Sequence, residues 1–222
     1  MTAHGLAIEN VSLSVAGRLL FSALSFKVEP SRPTTIMGPS GAGKSALIAF
    51  IGGHLDRAFR AEGRVIVNGA DVVNLPAEKR GIGVLFQDDL LFPHLSVGAN
   101  LAFGLAASIR GHAARRAAIE RALDEAGLAG FCDRAPATLS GGQRARAALM
   151  RSLLAAPRAL LLDEPFSKLD QALRRDFRRF VFDSAASRSL PVLMATHDPA
   201  DAEAAAGPVL SIGEAPSTPE PH

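Results

Sequence analysis

Two segments near the start of the chain alternate apolar and polar residues, a pattern typical of β-strands that bury one face. They are LAIENVSLSV at residues 6–15 and ALSFKV at 23–28. A third segment, GRVIVNG at 63–69, runs into Asn68 and Gly69, a pair that favours a tight hairpin turn. These three segments predict an antiparallel β region near the N-terminus.

Short apolar runs and segments of helical spacing alternate along the rest of the chain. The apolar runs predict strands at residues 34–37, 83–87, 159–163 and 191–196. Helical spacing predicts helices at 45–53, 96–109, 113–128, 140–155 and 171–186, followed by a last short helix and strand. Strands that are joined through helices predict a parallel sheet with helices packed on it, whose site lies at the carboxyl ends of the strands.

The balance of the pattern changes from about residue 88 to residue 139, where helical spacing dominates. We therefore predict one domain over residues 1–212, with a core made of 1–87 and 140–212 and a helical insertion at about 88–139. Residues 213–222, GEAPSTPEPH, are rich in proline and lack periodicity, which predicts a disordered tail.

Composition narrows the class of protein. Hydrophobic residues make up 48% of the chain and charged residues 21%, as in ordinary globular domains. No run approaches the roughly 18 apolar residues of a membrane-spanning helix, and the N-terminus lacks a signal-peptide pattern. The single cysteine, Cys132, excludes an intramolecular disulfide and is expected to be a small, partly buried hydrophobic side chain.

Charge argues against a nucleic-acid partner. The net charge is only +2, and the arginines cluster inside helical patterns, where solvated helix faces explain them. The aromatic or glycine interleaving of nucleic-acid sites does not accompany them. We expect a cytoplasmic protein that makes no direct contact with nucleic acid.

The stretch GPSGAGKS at 38–45 fits the phosphate-binding P-loop, and it stands where that loop requires, after a predicted strand and before a predicted helix. Glycines let successive backbone N–H groups converge on phosphates, and the helix N-terminus adds its positive end. Lys44 would reach the β- and γ-phosphates, and Ser45 would bind Mg²⁺. The predicted nucleotide-binding residues are Gly38, Pro39, Ser40, Gly41, Ala42, Gly43, Lys44, Ser45 and Ala46.

The stretch ALLLDEP at 159–165 places two carboxylates at the end of an apolar strand. By itself such a pair is often a solvated strand end. At the sheet edge that also carries a P-loop, Asp163 would hold Mg²⁺ through water, and Glu164 would orient and deprotonate an attacking water molecule.

The stretch TLSGGQ at 138–143 looks like a second anion-binding loop, yet no lysine follows its glycines. Together with the P-loop, Gln87, Asp163 and Glu164, the segment SKLD at 167–170 and His197 in ATHD, it resembles the ATP-binding cassette (ABC) ATPases from about residue 6 to residue 212. The resemblance implies an α/β fold of the P-loop NTPase (RecA-like) type, with an N-terminal antiparallel β subdomain and a helical insertion.

The resemblance also implies how the motifs act. Two subunits would pair head to tail, as a homodimer or with a similar ATPase, and each ATP would lie between the P-loop of one and the signature loop of the other. The signature residues are Ser140, Gly141, Gly142 and Gln143, and Asp170 would lie at the interface between the two sites. The catalytic residues would be Glu164, His197 and Gln87, and the Mg²⁺ ligands Ser45, Gln87 and Asp163. Read singly, Gln87 and His197 would be ordinary polar residues of a strand end and a loop.

The segment DLLFPHLSVGANLAFGL after Gln87 resembles the region of importer ATPases that receives a helix of a transmembrane subunit. Leu90, Leu91, Phe92 and Leu95 are candidates for that docking surface, or they pack inside the insertion. The resemblance implies an ATP-hydrolysing importer subunit at the inner face of the cell membrane, with permease subunits and a substrate-binding protein as partners.

Two other functions compete with that of an importer subunit. An ABC ATPase that acts on nucleic acid, the ribosome or a protein assembly usually carries tandem cassettes, coiled-coil arms or binding insertions, and none is found here. A P-loop kinase or switch GTPase would have no use for LSGGQ. The sequence alone does not identify the transported substrate or the direction of transport.

Three residues depart from the family pattern. Val15 stands where the family places an aromatic residue that stacks on adenine, and its absence would weaken ATP binding roughly tenfold to a hundredfold unless Phe21 or a partner subunit compensates. Ala46 replaces a common threonine. Lys168 replaces a small residue in SKLD, and it could pair with an acidic residue, contact phosphate or face water.

Overall fold

The computed structural model describes residues 5–30 and 32–213. The strands are β1 (Leu6–Val15), β2 (Arg18–Val28), β3 (Thr34–Met37), β4 (Phe59–Val67), β5 (Ala70–Asp71), β6 (Ile82–Leu85), β7 (Ala159–Asp163), β8 (Val192–Ala195) and β9 (Val209–Ser211). The helices are α1 (Lys44–Gly52), α2 (Ala77–Arg80), α3 (Val97–Phe103), α4 (His112–Glu125), α5 (Gly141–Leu154), α6 (Gln171–Ala186) and α7 (Pro199–Ala205), with a 3-10 turn at Pro136–Thr138. The predicted tail lies outside the described residues except for Gly213.

The first sheet is antiparallel, in the order β2-β1-β4-β5. On β1 the side chains of Leu6, Ile8, Val11 and Leu13 are buried. The alternation changes phase at Asn10, whose backbone has a φ of 52° and which lies in an irregularity of the strand pairing. That extra residue lets Val11 and Leu13 face the core again.

The second sheet is parallel, in the order β6-β7-β8-β3-β9. Its central strands are mostly apolar and buried, because α5 and α6 pack on one face and α1 packs on the other. On β7, Leu160 and Leu162 face the core formed with α5 and α6, whereas Ala159 and Leu161 face the core beside α1. The predicted α/β fold with a parallel sheet is thus confirmed.

The order of strands in this sheet positions the site. Strand β8 pairs with β3 on one side and with β7 on the other. The loop after β8, which carries His197, therefore lies between the P-loop after β3 and the carboxylates after β7.

Several element boundaries differ from those predicted. Strand β6 ends at Leu85, so Gln87 lies two residues beyond it. Helix α3 stops at Phe103 instead of continuing to residue 109. Gly104 passes so close to α5 that a Cβ there would lie 1.9 Å from the carbonyl oxygen of Arg151. The short helix α2 was not predicted.

Residues 97–139 pack α3 and α4 against α5. Val97, Leu101, Ile119 and Leu123 join the same apolar core as α5 and β7. Cys132 is a small apolar side chain of the core, more fully buried than the partial burial that the sequence predicts, and its Sγ fills the space next to Gly98. Among residues 5–30 and 32–213, no helix is long and apolar enough to cross a membrane.

Candidate active site

The loop at 38–45 leaves β3 and enters α1. Gly41 and Gly43 have φ values of 79° and 95°, a conformation that favours glycine. Gly43 is the N-cap of α1, and no described side chain caps the helix there. The first N–H groups of α1 are therefore available to an anion.

Lys44 is folded back over its own loop. Its side-chain Nζ donates to the carbonyl oxygens of Gly38 at 2.8 Å and Pro39 at 3.1 Å. The residue is 7% exposed. The ammonium group of Lys44 is thus held against the backbone of its own loop, on the wall of the cleft described below.

Ser45 and Asp163 join two motifs that are 118 residues apart in sequence. The hydroxyl of Ser45 donates to Oδ1 of Asp163 at 2.8 Å. Burial raises the pKa of the Asp163 carboxyl, and the hydrogen bond from Ser45 opposes that rise only in part. A hydroxyl beside a half-buried carboxylate fits Mg²⁺, which prefers oxygen ligands.

Glu164, the residue after Asp163, forms a polar contact with His197. Nδ1 of His197 lies 2.9 Å from Oε1 of Glu164. Glu164 has a φ of 48°, uncommon for a residue with a side chain. Its N–H donates to the carbonyl of Ala195 at 2.9 Å, and its carbonyl accepts from the hydroxyl of Ser167 at 2.8 Å. These contacts hold the strained backbone in place.

A cleft of about 560 Å³ brings most of the predicted residues together. Its lining consists of Val15, Arg18, Leu20, Ser40, Gly41, Gly43, Lys44, Ser45, Ala46, Phe59, Gln87, Glu164, Ser167 and His197. Asp163 is not among the lining residues, but it accepts the hydrogen bond of Ser45, which is. Gly38 and Pro39 line a neighbouring hollow with His197, and Ala42 is buried against Ile212 and Gly213.

The signature residues lie elsewhere. Among the described residues that line the cleft, none comes from 140–143. Ser140 caps α5 by accepting from the N–H of Gln143 at 3.3 Å, and Oε1 of Gln143 accepts from the N–H of Ser140 at 2.9 Å. This capping box holds the start of α5. Gly142 packs against Leu173, whereas a Cβ on Gly141 would find its nearest neighbour at 4.0 Å.

Asp170 and Lys168 both have partners within the chain. Asp170 caps α6, since its Oδ1 accepts from the N–H groups of Ala172 at 3.1 Å and Leu173 at 3.0 Å. Lys168 forms an ion pair with Asp88, the residue after Gln87. Of the alternatives that the sequence leaves open for Lys168, pairing with an acidic residue is the one observed.

An ion-pair network beside His197 was not predicted. Arg174 pairs with Asp198, and Arg178 pairs with Asp201, which is 2% exposed. Oγ1 of Thr196 donates to Oδ2 of Asp201 at 2.9 Å and accepts from the N–H of Asp198 at 3.1 Å. The sequence does carry a signal for this network, namely two arginines on α6 and two aspartates after β8. Arginines inside a helical pattern are also typical of a solvated helix face, and that is the interpretation that the sequence favours for these residues.

Phe59 and Arg18 were also missed. Phe59 lines the cleft and pairs directly with Val15 across β1 and β4. Phe21, the aromatic that the sequence suggested, packs beside Gly43, where a Cβ would lie 3.1 Å from its ring. An aromatic just before the predicted strand at 63–69 could have been noticed, but that strand begins at Phe59 itself.

Three side chains form what we call the apolar patch: Leu90, Phe92 and Phe103. Leu90 is 53% exposed and Phe103 68%, and the rings of Phe92 and Phe103 are 5.0 Å apart. Leu91 is buried and Leu95 is half-buried, so the four candidates of the sequence divide between surface and core.

The backbone beside the apolar patch is held by α5. Nε of Arg144 donates to Oδ2 of Asp89 at 2.8 Å, and an Arg151 guanidinium N–H donates to the carbonyl of Leu90 at 2.8 Å. The patch is therefore attached directly to the helix that follows the signature loop.

Comparison with known proteins adds independent findings. The model of the family described as "ABC transporter" matches residues 21–167. The chain is 48% identical over 199 residues to the uncharacterized ABC transporter ATP-binding protein YnjD of Escherichia coli (strain K12), covering 90% of this chain and 91% of that protein. It is 47% identical over 167 residues to the thiamine import ATP-binding protein ThiQ of Cereibacter sphaeroides, covering 75% and 71%. It is 39% identical over 216 residues to the Fe(3+) ions import ATP-binding protein FbpC 3 of Rhodococcus jostii, covering 95% and 60%.

Proposed function

This chain belongs to the ABC transporter family of ATP-binding proteins, and we propose that it is the ATP-hydrolysing subunit that drives an importer. Members of the family are ATPases whose reaction is coupled to transport. The observation that carries the proposal is the single cleft in which Lys44, Ser45, Gln87, Glu164 and His197 converge.

The P-loop would hold the phosphates of ATP. The free N–H groups at the start of α1 would donate to phosphate oxygens, and Ala46 would lie beside them. Lys44 would exchange its bonds to the carbonyls of Gly38 and Pro39 for bonds to the β- and γ-phosphates. The loop is thereby organised before the ligand arrives, which lowers the cost of binding.

Ser45, Gln87 and Asp163 would hold Mg²⁺. The Ser45 hydroxyl and the Asp163 carboxylate are already in contact, and a half-buried carboxylate gains from a cation that compensates its lost hydration. Bound there, Mg²⁺ would neutralise negative charge on the phosphate oxygens.

Glu164 would orient the attacking water and accept its proton. The contact with His197 and the constrained backbone at a φ of 48° fix the direction of its carboxylate. His197 would keep that carboxylate in place and contact the γ-phosphate. Positioned charges of this kind are the main source of catalysis in phosphoryl transfer.

A second subunit would complete the site. The signature residues Ser140, Gly141, Gly142 and Gln143 lie outside the cleft of their own chain, so they would donate to the γ-phosphate bound by a partner, with Asp170 near the interface. We take residues 1–212 as one ABC ATPase domain, with a core of 1–87 and 140–212, an N-terminal antiparallel β subdomain and a helical insertion at 88–139.

Permease subunits and a substrate-binding protein are the further partners that we propose. Two of the similar proteins are named as import ATP-binding proteins, for thiamine and for Fe(3+) ions. The apolar patch would receive a helix of the permease, because it follows Gln87 and is tied to α5 by Arg144 and Arg151. We therefore propose that the chain works at the inner face of the cell membrane.

The test of the shared site is Glu164→Gln, which removes the proton acceptor but keeps the shape of the side chain. We expect the variant to bind Mg-ATP without hydrolysing it and to elute from a sizing column as a dimer, with Glu203→Gln, on the exposed side of α7, as the matched control. A Glu164→Gln chain that stays monomeric at saturating Mg-ATP would refute shared sites. Purification from native membranes should recover a multispanning protein, whereas recovery of nucleic acid or ribosomes would refute the importer.

A further inference from the structure

Three side chains form a row across the antiparallel sheet at the edge of the cleft. Val15 on β1 is the direct partner of Arg18 on β2 and of Phe59 on β4. Directly paired residues of neighbouring strands place their side chains on the same face of a sheet. All three line the cleft that contains the P-loop.

The row is fixed by a tight hairpin turn. Only Ala16 and Gly17 separate Val15 from Arg18, and their φ values of 48° and 79° are both positive, as a two-residue turn of type I′ requires. So short a turn leaves the two flanking residues no freedom to slip past one another. Arg18 is thereby held on one side of Val15, and the regular pairing of β4 holds Phe59 on the other.

The chemistry of the row suits a flat aromatic ligand. Val15 offers an apolar floor, and Phe59 stands about 5 Å to one side at the usual strand spacing. Arg18, on the opposite side, is exposed and forms no side-chain hydrogen bond or ion pair with any described residue. Aromatic rings and guanidinium groups both stack on nucleobases, and this stacking tolerates any base.

The geometry points to Phe59 and Arg18 as the residues that bind the base of the nucleotide, in place of an aromatic residue at position 15. This inference rests on the proposed function, because the phosphates at the P-loop bring the base to the row. Phe59 stacks on the base, and the guanidinium of Arg18 covers it from β2. The missing aromatic on β1 is thus replaced by side chains from the two neighbouring strands.

The experiment compares two ligands, ATP and inorganic tripolyphosphate, by calorimetry with the full chain in the presence of Mg²⁺. Tripolyphosphate reports on the P-loop alone, since it has no base. Phe59→Ala should weaken ATP binding roughly tenfold to a hundredfold, the usual loss on removing a stacking side chain. Arg18→Ala should weaken it roughly twofold to thirtyfold. Both variants should bind tripolyphosphate as the unmodified chain does.

The next row of the same sheet supplies matched controls. Leu19, Ser14 and Arg60 are paired in the same way, one residue along each strand and therefore on the opposite face. Leu19→Ala and Arg60→Ala should leave both affinities unchanged. Phe59→Tyr keeps an aromatic ring and should retain most of the affinity for ATP.

Three results would overturn the inference. They are an unchanged ATP affinity in both Phe59→Ala and Arg18→Ala, an equal loss of tripolyphosphate and ATP affinity, and a loss in Phe59→Tyr as large as in Phe59→Ala. Failure of the proposed function looks different: the unmodified chain would bind neither ligand, or Lys44→Ala would leave tripolyphosphate binding intact.

Discussion

Asp163 carries a charge that the protein without nucleotide accommodates at a cost. Burial raises the pKa of its carboxyl, so the ionised form is disfavoured in the folded chain. We expect Asp163→Asn, which still accepts a bond from Ser45, to abolish ATP hydrolysis and to raise the melting temperature of the nucleotide-free protein. A gain of about 1 kcal/mol would correspond to roughly 2–4 °C in a chain of this length, measured by scanning calorimetry.

The size of this effect depends on pH, and its sign depends on the metal. Because the folded pKa is raised, the folded chain binds more protons than the unfolded chain above the ordinary aspartate range, and this carboxyl's contribution to stability falls as pH rises through that window. The advantage of Asp163→Asn should therefore shrink on acidification. With Mg-ATP the unmodified chain should melt at a higher temperature than Asp163→Asn, because a ligand stabilises only the chain that binds it. Asp176→Asn, on the exposed side of α6, should change neither value.

At the scale of single residues, motifs in the sequence predict which residues share a site, but not the contacts that other segments supply. Lys44, Ser45 and Glu164 each belong to a local motif, and all three line one cleft. The partner of Lys168 comes from a segment 80 residues away, and Phe59 reaches Val15 only through the register of β4. Neither contact leaves a trace in the local sequence.

The pairing of α6 with α7 depends on the buried ion pair between Arg178 and Asp201. Arg178→Ala would leave the Asp201 carboxylate, which is 2% exposed, without its countercharge. We expect the free energy of unfolding to fall by about 3–5 kcal/mol, the usual loss when one partner of a buried pair is removed. Chemical denaturation measures this loss.

Two further variants separate the ion pair from general effects of removing arginine. Arg179→Ala, on the exposed side of the same helix, should change the free energy of unfolding by less than about 0.5 kcal/mol. The double variant Arg178→Met with Asp201→Asn should recover most of the stability, because it leaves no unpaired charge, nearly keeps both side-chain volumes and still provides an acceptor for the Thr196 hydroxyl. A loss in Arg178→Ala no larger than in Arg179→Ala would contradict the role of the pair.

Secondary structure follows from the sequence where local signals suffice. Strands β1, β3 and β7 and helix α6 have the predicted bounds, and α6 also starts at a capping aspartate, Asp170. Helix α3 is shorter than its pattern, and at its end Gly104 packs so closely on α5 that a Cβ there would lie 1.9 Å from the carbonyl oxygen of Arg151. Boundaries that are set by packing between distant elements are the part that periodicity cannot supply.

Across the whole molecule, the separation of the signature loop from the cleft leads to a prediction about mixtures of inactive chains. In a two-fold dimer, each site combines the cleft of one chain with the signature loop of the other. Lys44→Ala damages the cleft. Gly141→Asp places a carboxylate on the signature surface, where a side chain fits the fold because its Cβ meets nothing closer than 4.0 Å. Each variant alone should be inactive.

Mixing these two variants should restore ATP hydrolysis. In a mixed dimer one site carries both defects, whereas the other combines the sound cleft of the Gly141→Asp chain with the sound signature loop of the Lys44→Ala chain. With random pairing, half the dimers are mixed and each has one intact site, so activity should return to about a quarter of the unmodified level if the sites act independently. Lys44→Ala mixed with Glu164→Gln should stay inactive, because both changes damage the cleft. A site contained within one chain would give no recovery in either mixture, and that outcome would remove the reason for a dimer.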